Sequence, residues 1–278
     1  MTDTPVDGGE RPEGSEPPVP PATAQSLTHQ LGALGVEAGA TLIVHTSLSA
    51  LGRVVGGEQA VVAALHAAVG PEGTVVMPVQ SWQLCDPALL QQTDPAWWPL
   101  VREHLPVYDP ASTPSENMGA VAEHFRTLPG TLRSAHPHRS FVAAGRLAGE
   151  VVAQHDLSEP MGEGSPLAVL YDVGAQVLLL GVSAARCTAL HLAEHRCEYP
   201  GKHRIGTGAP VLVYGQRRWR SWRELAVSAE DFEQVAEDFA AATGLRRSAP
   251  VGQSVRQLLP VRELVDHAAG WFPTHRRA

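Results

Sequence analysis

The amino-acid sequence predicts an α/β fold: a mostly parallel or mixed central sheet flanked by helices, with a smaller α+β part at the C-terminus. Three observations carry this expectation. Thr41-Leu42-Ile43-Val44, then Gly57–Val69 with Val61, Val62, Leu65 and Val69 at helical spacing, then Thr74-Val75-Val76-Met77-Pro78 follow one another through short connections. Strand, helix, strand in that order is a βαβ unit and calls for parallel strands. Further along, Val177-Leu178-Leu179-Leu180 is a short apolar run that stops at Gly181 and leads into a loop and a helix, the pattern of a buried strand. Finally, 44% of the 278 residues are apolar, enough for a large core.

The elements follow in order. Residues 1–22 are rich in Pro, Gly, Glu and Asp and nearly free of bulky apolar groups, so a disordered tail is expected. Residues 23–278 are expected to form a single domain. It opens with a helix near Ser26–Leu31 and continues through the strand–helix–strand unit. Residues 79–116 look irregular. Their prolines, interleaved with Trp82, Trp97 and Trp98, suggest a loop insertion over a substrate site. Met118–Leu128 predicts a helix, Ser140–Gly145 a strand, and Leu147–His155 a helix. Pro166–Tyr171 is a short helix with Ser165 as N-cap and Pro166 at its first position. After the 177–180 strand, a helix is expected from about Thr188, as N-cap, to Arg196. The C-terminal part begins near residue 205. It reads as a hairpin of Pro210–Gly215 and Arg218–Trp222, an acidic amphipathic helix at Ala229–Thr243, and a final helix at Val261–Phe272.

Composition excludes several function classes. A net charge of −8 argues against nucleic acid, which needs a basic surface, and suits a cationic small molecule. The three cysteines, Cys85, Cys187 and Cys197, show no paired spacing, so a reducing, cytoplasmic setting is expected. No apolar run approaches the roughly 18 residues of a membrane span, and no signal-peptide pattern is present. Monomer and homodimer both fit.

Several residues could carry chemistry. His45 ends a strand and is followed by Thr46-Ser47-Leu48-Ser49, whose successive backbone N–H groups suit an anion or a carbonyl oxygen; an ordinary polar loop has the same appearance. His136 precedes Pro137, which holds it extended in a pre-strand loop. Glu163 sits in the Gly162-Glu163-Gly164-Ser165 turn. His191 and Glu194 are one helical turn apart, so a carboxylate can fix the imidazole tautomer, the arrangement of a positioned general base. His191-Leu192-Ala193-Glu194-His195 also matches the H-x-x-E-H pattern of a zinc hydrolase, which would need a third ligand. Cys187, close by, is either a nucleophile or a small buried filler.

Taken in order, these segments resemble the aminoglycoside 3-N-acetyltransferases, a family of antibiotic acetyltransferases unrelated to the GNAT fold. The resemblance rests on Val44–Gly52 with Gly56-Gly57, Gly73–Pro78, Tyr108-Asp109-Pro110 with Thr113-Pro114-Ser115 and Met118-Gly119. It continues through Arg133-Ser134-Ala135-His136-Pro137 with Ser140, Gly162–Pro166, Leu178–Gly181 and Thr188–Glu194. It implies acetyl transfer from acetyl-CoA to the 3-amino group of a 2-deoxystreptamine aminoglycoside, without a metal. His191 would then be the base and Glu194 its orienting carboxylate. His45 and nearby N–H groups would stabilise the thioester oxygen, with Thr188 or His136 assisting and Glu163 in a supporting role. Thr46, Ser47, Leu48, Ser49, Met77, Pro78, Ser140, Phe141 and Thr188 would line the cofactor. Asp86, Asp94, Asp109 and Glu116 would attract the polycation. His195 departs from the family pattern and keeps the zinc reading open. An N-acyltransferase of the same fold acting on a different amine, and an inactive binding protein, are the other readings.

Overall fold

The computed structural model describes residues 20–251 and 254–277. The chain runs α1 (Ala24–Leu34), β1 (Thr41–Thr46), α2 (Gly57–Val69), β2 (Thr74–Pro78), α3 (Pro87–Leu90), α4 (Trp98–His104) and α5 (Ala120–Arg126). It continues with β3 (Leu132–Arg133), β4 (Phe141–Gly145), α6 (Ala148–Val152), α7 (Pro166–Asp172), β5 (Gln176–Leu180) and α8 (Leu190–Arg196). The last elements are β6 (Arg204–Val213), β7 (Gln216–Leu225), α9 (Phe232–Thr243), β8 (Arg247–Val251), β9 (Ser254–Pro260) and α10 (Val261–His275).

Seven strands form one mixed sheet in the order β3-β4-β2-β1-β5-β9-β8. The centre is parallel: β1 pairs with β2 and with β5 in the same direction. The flanking pairs are antiparallel. Side chains alternate across this sheet. Leu42, Val44, Leu178 and Leu180 face one core under α1, α2 and α5. Ile43, Val177 and Leu179 face the other, filled by α8, α9 and α10 with Phe232, Phe239 and Phe272. Both faces of β1 and β5 are therefore dry, which explains their unbroken apolar runs.

The structure departs from the sequence reading at three places. Residues 247–251 and 254–260, which show little apolar alternation, form β8 and β9 and tie the C-terminal part into the main sheet. Pro250 is tolerated because β8 is an edge strand, and the polar Arg256 and Gln257 are buried in β9. Of the expected tail, residues 1–19 lie outside the described residues. Ala22 is already paired: its N–H donates to Arg53 O at 2.9 Å, and its carbonyl accepts from Val55 at 2.8 Å. The 79–116 insertion is not wholly irregular, since α3 and α4 each begin with a proline in the first turn. The β6–β7 hairpin forms its own two-stranded sheet.

Gly181 joins this frame to the site. It ends β5 at φ 70°, and an added Cβ would lie 2.9 Å from Ala50 Cβ and 3.2 Å from Ser47 O. Only glycine lets β5 close so tightly on the turn after β1. Gly181→Ala is expected to cost about 1–3 kcal/mol and lower Tm by several degrees in thermal unfolding; an unchanged Tm would contradict this packing.

Candidate active site

The carboxyl ends of the parallel strands β1, β2 and β5 open onto a cleft of about 1050 Å³, where open α/β sheets place ligands. His45 and Thr46 reach it from β1, Ser47, Leu48 and Ser49 from the following turn, and Met77 and Pro78 from β2. Gly181–Ser183, Thr188 and His191 approach from the β5 side, and Asn117–Ala120 and Phe232 close other walls. The turn after β1 is fixed to β5 by the Ser47 N–H, which donates to Leu180 O at 2.9 Å.

His191 stands in the first turn of α8, its ring beside Phe232 with centroids 4.8 Å apart. Its Nδ1 lies 2.5 Å from Glu194 Oε2. The Glu194 side chain is fully buried. Its other oxygen, Oε1, accepts from the Ser228 N–H at 3.0 Å and from Arg276 Nη1 at 2.5 Å, with Tyr199 OH at 3.5 Å. Burial pushes this carboxyl up, but the donors from His191, Ser228 and Arg276 outweigh it, and the net shift is downward. The magnitudes agree: charge-assisted bonds worth about 1.5–3 kcal/mol each offset a desolvation cost of several kcal/mol. An ionised carboxylate only accepts, so His191 Nδ1 carries the proton and Nε2 is left as the basic atom.

His45 is buried opposite. Its Nε2 accepts from the Thr188 N–H at 3.4 Å, which places the ring proton on Nδ1. Burial, with His191 and the cationic Arg186 nearby, lowers its pKa to about 3, so it is a neutral donor. Thr188 therefore serves His45 through its backbone and does not cap α8. The cap position is Ala189, with no side-chain hydrogen bond, because 3₁₀-type bonds from Leu190 to Cys187 and from His191 to Thr188 delay the helix by one residue. Cys187 is buried and its thiol is pushed up to about 12, which leaves it protonated and a poor nucleophile.

A family model described as aminoglycoside 3-N-acetyltransferase matches residues 43–273. The chain belongs to this family. Aminoglycoside N(3)-acetyltransferase VIII of Streptomyces fradiae is 39% identical over 265 residues, covering 91% of this chain and 92% of the relative. The crystal structure of YokD from Bacillus subtilis superposes with TM-score 0.88 at 40% identity, covering 92% of this chain and 95% of that one. The AAC-IIIb binary complex with CoASH has TM-score 0.81 at 33% identity, covering 92% and 99%.

Within this acetyltransferase-family fold, several of the sequence-selected residues lie away from the cleft. Ser140 and Phe141 are fully buried; Ser140 Oγ donates to Val79 O at 2.9 Å. Glu163 is spent on an exposed pair with Arg196 at 2.6 Å. Asp86 caps α3 and pairs with Arg102, Asp94 caps the turn before α4, and Asp109 holds the Ala111 N–H and Ser112. Glu116 is half-buried between Gln80, whose carbonyl accepts from the Glu116 N–H, and Asn117; both neighbours line the cleft. His195 turns away from His191: its Nδ1 lies 2.9 Å from Glu159 Oε2, under Gly162. Among the described residues, no group of three or more His, Cys, Asp or Glu side chains is placed to hold a metal, and no helix is long and apolar enough to cross a membrane.

Arg276, Ser228, Arg53 and Arg186 carry no site role in the sequence reading. The first two meet Glu194 only through folding, and Arg53 and Arg186 are cationic cleft liners that belong to unremarkable loop strings.

His136, expected to assist at the site, is not among the cleft-lining residues. It is fully buried, and its Nδ1 accepts from the backbone N–H groups of His138 and Arg139 at 3.2 and 3.1 Å. It packs against His138, His155 and Trp222. Burial depresses all three histidines, His138 to about 3 and His155 to about 4. The unfolded chain therefore takes up protons first, and stability falls as pH drops below about 6.5, by up to about 1.4 kcal/mol per pH unit per histidine. His138 stacks on Trp222, and its ring nitrogens make no well-formed hydrogen bond among the described residues, although the Gly208 backbone lies close. His138→Phe is expected to keep the stack, match the native stability at pH 7 and lose less of it at pH 5, as read from urea midpoints; an unchanged pH slope would contradict this.

Proposed function

We propose that this protein transfers the acetyl group of acetyl-CoA to the 3-amino group of a 2-deoxystreptamine aminoglycoside and thereby confers resistance. The observation that carries the reading is the His191–Glu194 pair in the cleft, with Nδ1 committed to a buried carboxylate and Nε2 free.

A substrate amine is mostly protonated near neutral pH and must lose a proton to attack. In this reading the ammonium first loses one proton to become a neutral amine. As that amine forms the nitrogen–carbon bond, His191 Nε2 takes a second N–H proton, the carbon–sulfur bond breaks, and the departing CoA thiolate can take the proton back from the imidazolium. Glu194 keeps the tautomer and stabilises the imidazolium. The neutral His45 ring, and the Leu48 and Ser49 N–H groups, which donate to no backbone carbonyl among the described residues, face the developing oxyanion. Transfer is direct, within a ternary complex, because the buried Cys187 thiol is unsuited to forming an acyl-enzyme. Arg53 and Arg186 complement the phosphates of CoA. Of the four acidic residues selected from the sequence, Glu116 is the one assigned here to an acceptor ammonium, since Gln80 and Asn117 beside it line the cleft.

The decisive assay is CoA release from acetyl-CoA with gentamicin-type and kanamycin-type acceptors. Release with another amine but with no aminoglycoside would replace the acceptor and keep the chemistry; silence with every amine would remove the activity. His191→Ala is expected to lower kcat by about 10²–10⁴ while the KM for acetyl-CoA stays within a few-fold, and near-normal turnover would deny His191 the base role. Cys187→Ala should retain turnover within about twofold, whereas complete loss would point to an acyl-enzyme.

A further inference from the structure

We propose that Arg276, just beyond α10, is a positioning residue for acetyl transfer: it clamps the Glu194 carboxylate that orients His191. The inference rests on the reading above and concerns a residue 82 positions from Glu194 in the chain.

The geometry is that of a fork held on both prongs. Arg276 Nη1 donates to Glu194 Oε1 at 2.5 Å. Its Nε and Nη2 donate to the two oxygens of Asp231 at 2.6 and 2.8 Å, and Nη2 also reaches Ser228 O at 2.9 Å. The guanidinium lies over the Phe272 ring at 3.9 Å and the Tyr199 ring at 4.7 Å, and only 11% of the side chain is exposed. A planar, bidentate cation of this kind fixes direction as well as charge, which a lysine does not reproduce. Arg276 is not among the cleft-lining residues, so it acts through Glu194 and touches neither substrate.

The same clamp ties two termini of secondary structure to the base. Asp231 precedes α9 and Ser228 lies three residues earlier; the Ser228 N–H and Arg276 both end on Oε1, leaving Oε2 to His191. Without the fork, Oε1 would lose its strongest donor inside an apolar surround, and the carboxylate would be free to rotate or to take up a proton. The charged and titratable groups facing Glu194 are His191 and His195 on α8, Cys197, Tyr199 and Arg276, with Asp231 behind Arg276. His45 and Arg186 face His191 from the other side.

Removing the cation takes away a donor that holds the Glu194 carboxyl down, so Glu194 takes up a proton more readily, and a protonated Glu194 no longer holds His191 as the base. The acid limb of the kcat–pH profile must therefore move to higher pH. Arg276→Gln, which removes the charge but keeps a polar side chain, is expected to lower kcat at least tenfold, hold the acetyl-CoA KM within twofold and raise the acid limb by half a pH unit or more. Arg276→Lys, which keeps the charge without the fork and is the safer variant for folding, should lose at least threefold in kcat with KM and the acid limb unmoved. An Arg276→Gln profile with the wild-type acid limb, an equal limb shift in both variants, or wild-type kcat in Arg276→Lys would overturn the proposal. The wild-type assay separates the two claims. If the unaltered protein releases no CoA with any amine, acetyl transfer is the claim that fails. If it turns over and the Arg276 variants match it, the clamp fails alone.

Discussion

A carboxylate with no exposed surface is the constraint around which this molecule is organised. Glu194 would be costly in an apolar core were it not met by donors on both oxygens, and those donors come from three separate places: His191 on the same helix, Ser228 before α9 and Arg276 after α10. Leu190, Leu192 and Ala193 seat α8 in the core shared with α9 and α10. The packing that buries Phe232 and Phe272 thus also delivers the groups that make the buried charge tolerable. Local helix geometry sets the His191–Glu194 spacing, but only the tertiary fold makes that pair stable as imidazole and carboxylate.

The sheet decides where this pair can work. Parallel pairing of β2, β1 and β5 gathers three strand ends on one edge, and the turns beyond them supply the cleft walls. The antiparallel additions serve a different purpose. By pairing with β5, β9 brings the chain directly into α10, and α10 delivers Arg276 to Glu194. A mixed sheet is therefore what allows a residue beyond α10 to support the base that follows β5.

Much of the fold was legible because β1, β2, β5 and α2 are buried by simple periodic patterns. The final helix, expected at 261–272 and found at 261–275, and the hairpin, whose strands run longer than expected, were visible for the same reason. β8 and β9 were not, since an edge strand carrying Pro250 and a strand burying Arg256 and Gln257 break the apolar alternation that marks strands. At the site, the i,i+3 spacing of His191 and Glu194 and the strand-end place of His45 could be read directly. His136 and Glu163 looked equally eligible in sequence, where nothing separates a histidine sealed under Trp222 or a glutamate paired to Arg196 from one facing a substrate. The aspartates of the insertion were misleading for a local reason: before proline, Asp86 and Asp94 are helix-capping residues. Arg276 lay beyond sequence reasoning, because its partner is fixed by two helices packing together.

The central claim is that Glu194 holds His191 with the proton on Nδ1 and the lone pair on Nε2. Nitrogen-15 NMR of the histidine side chains measures this directly. Near neutral pH, His191 is predicted to show a protonated Nδ1 and an unprotonated Nε2, and Glu194→Gln is predicted to disturb that state. A His191 protonated at Nε2 and bare at Nδ1, or one indifferent to Glu194→Gln, would contradict the account.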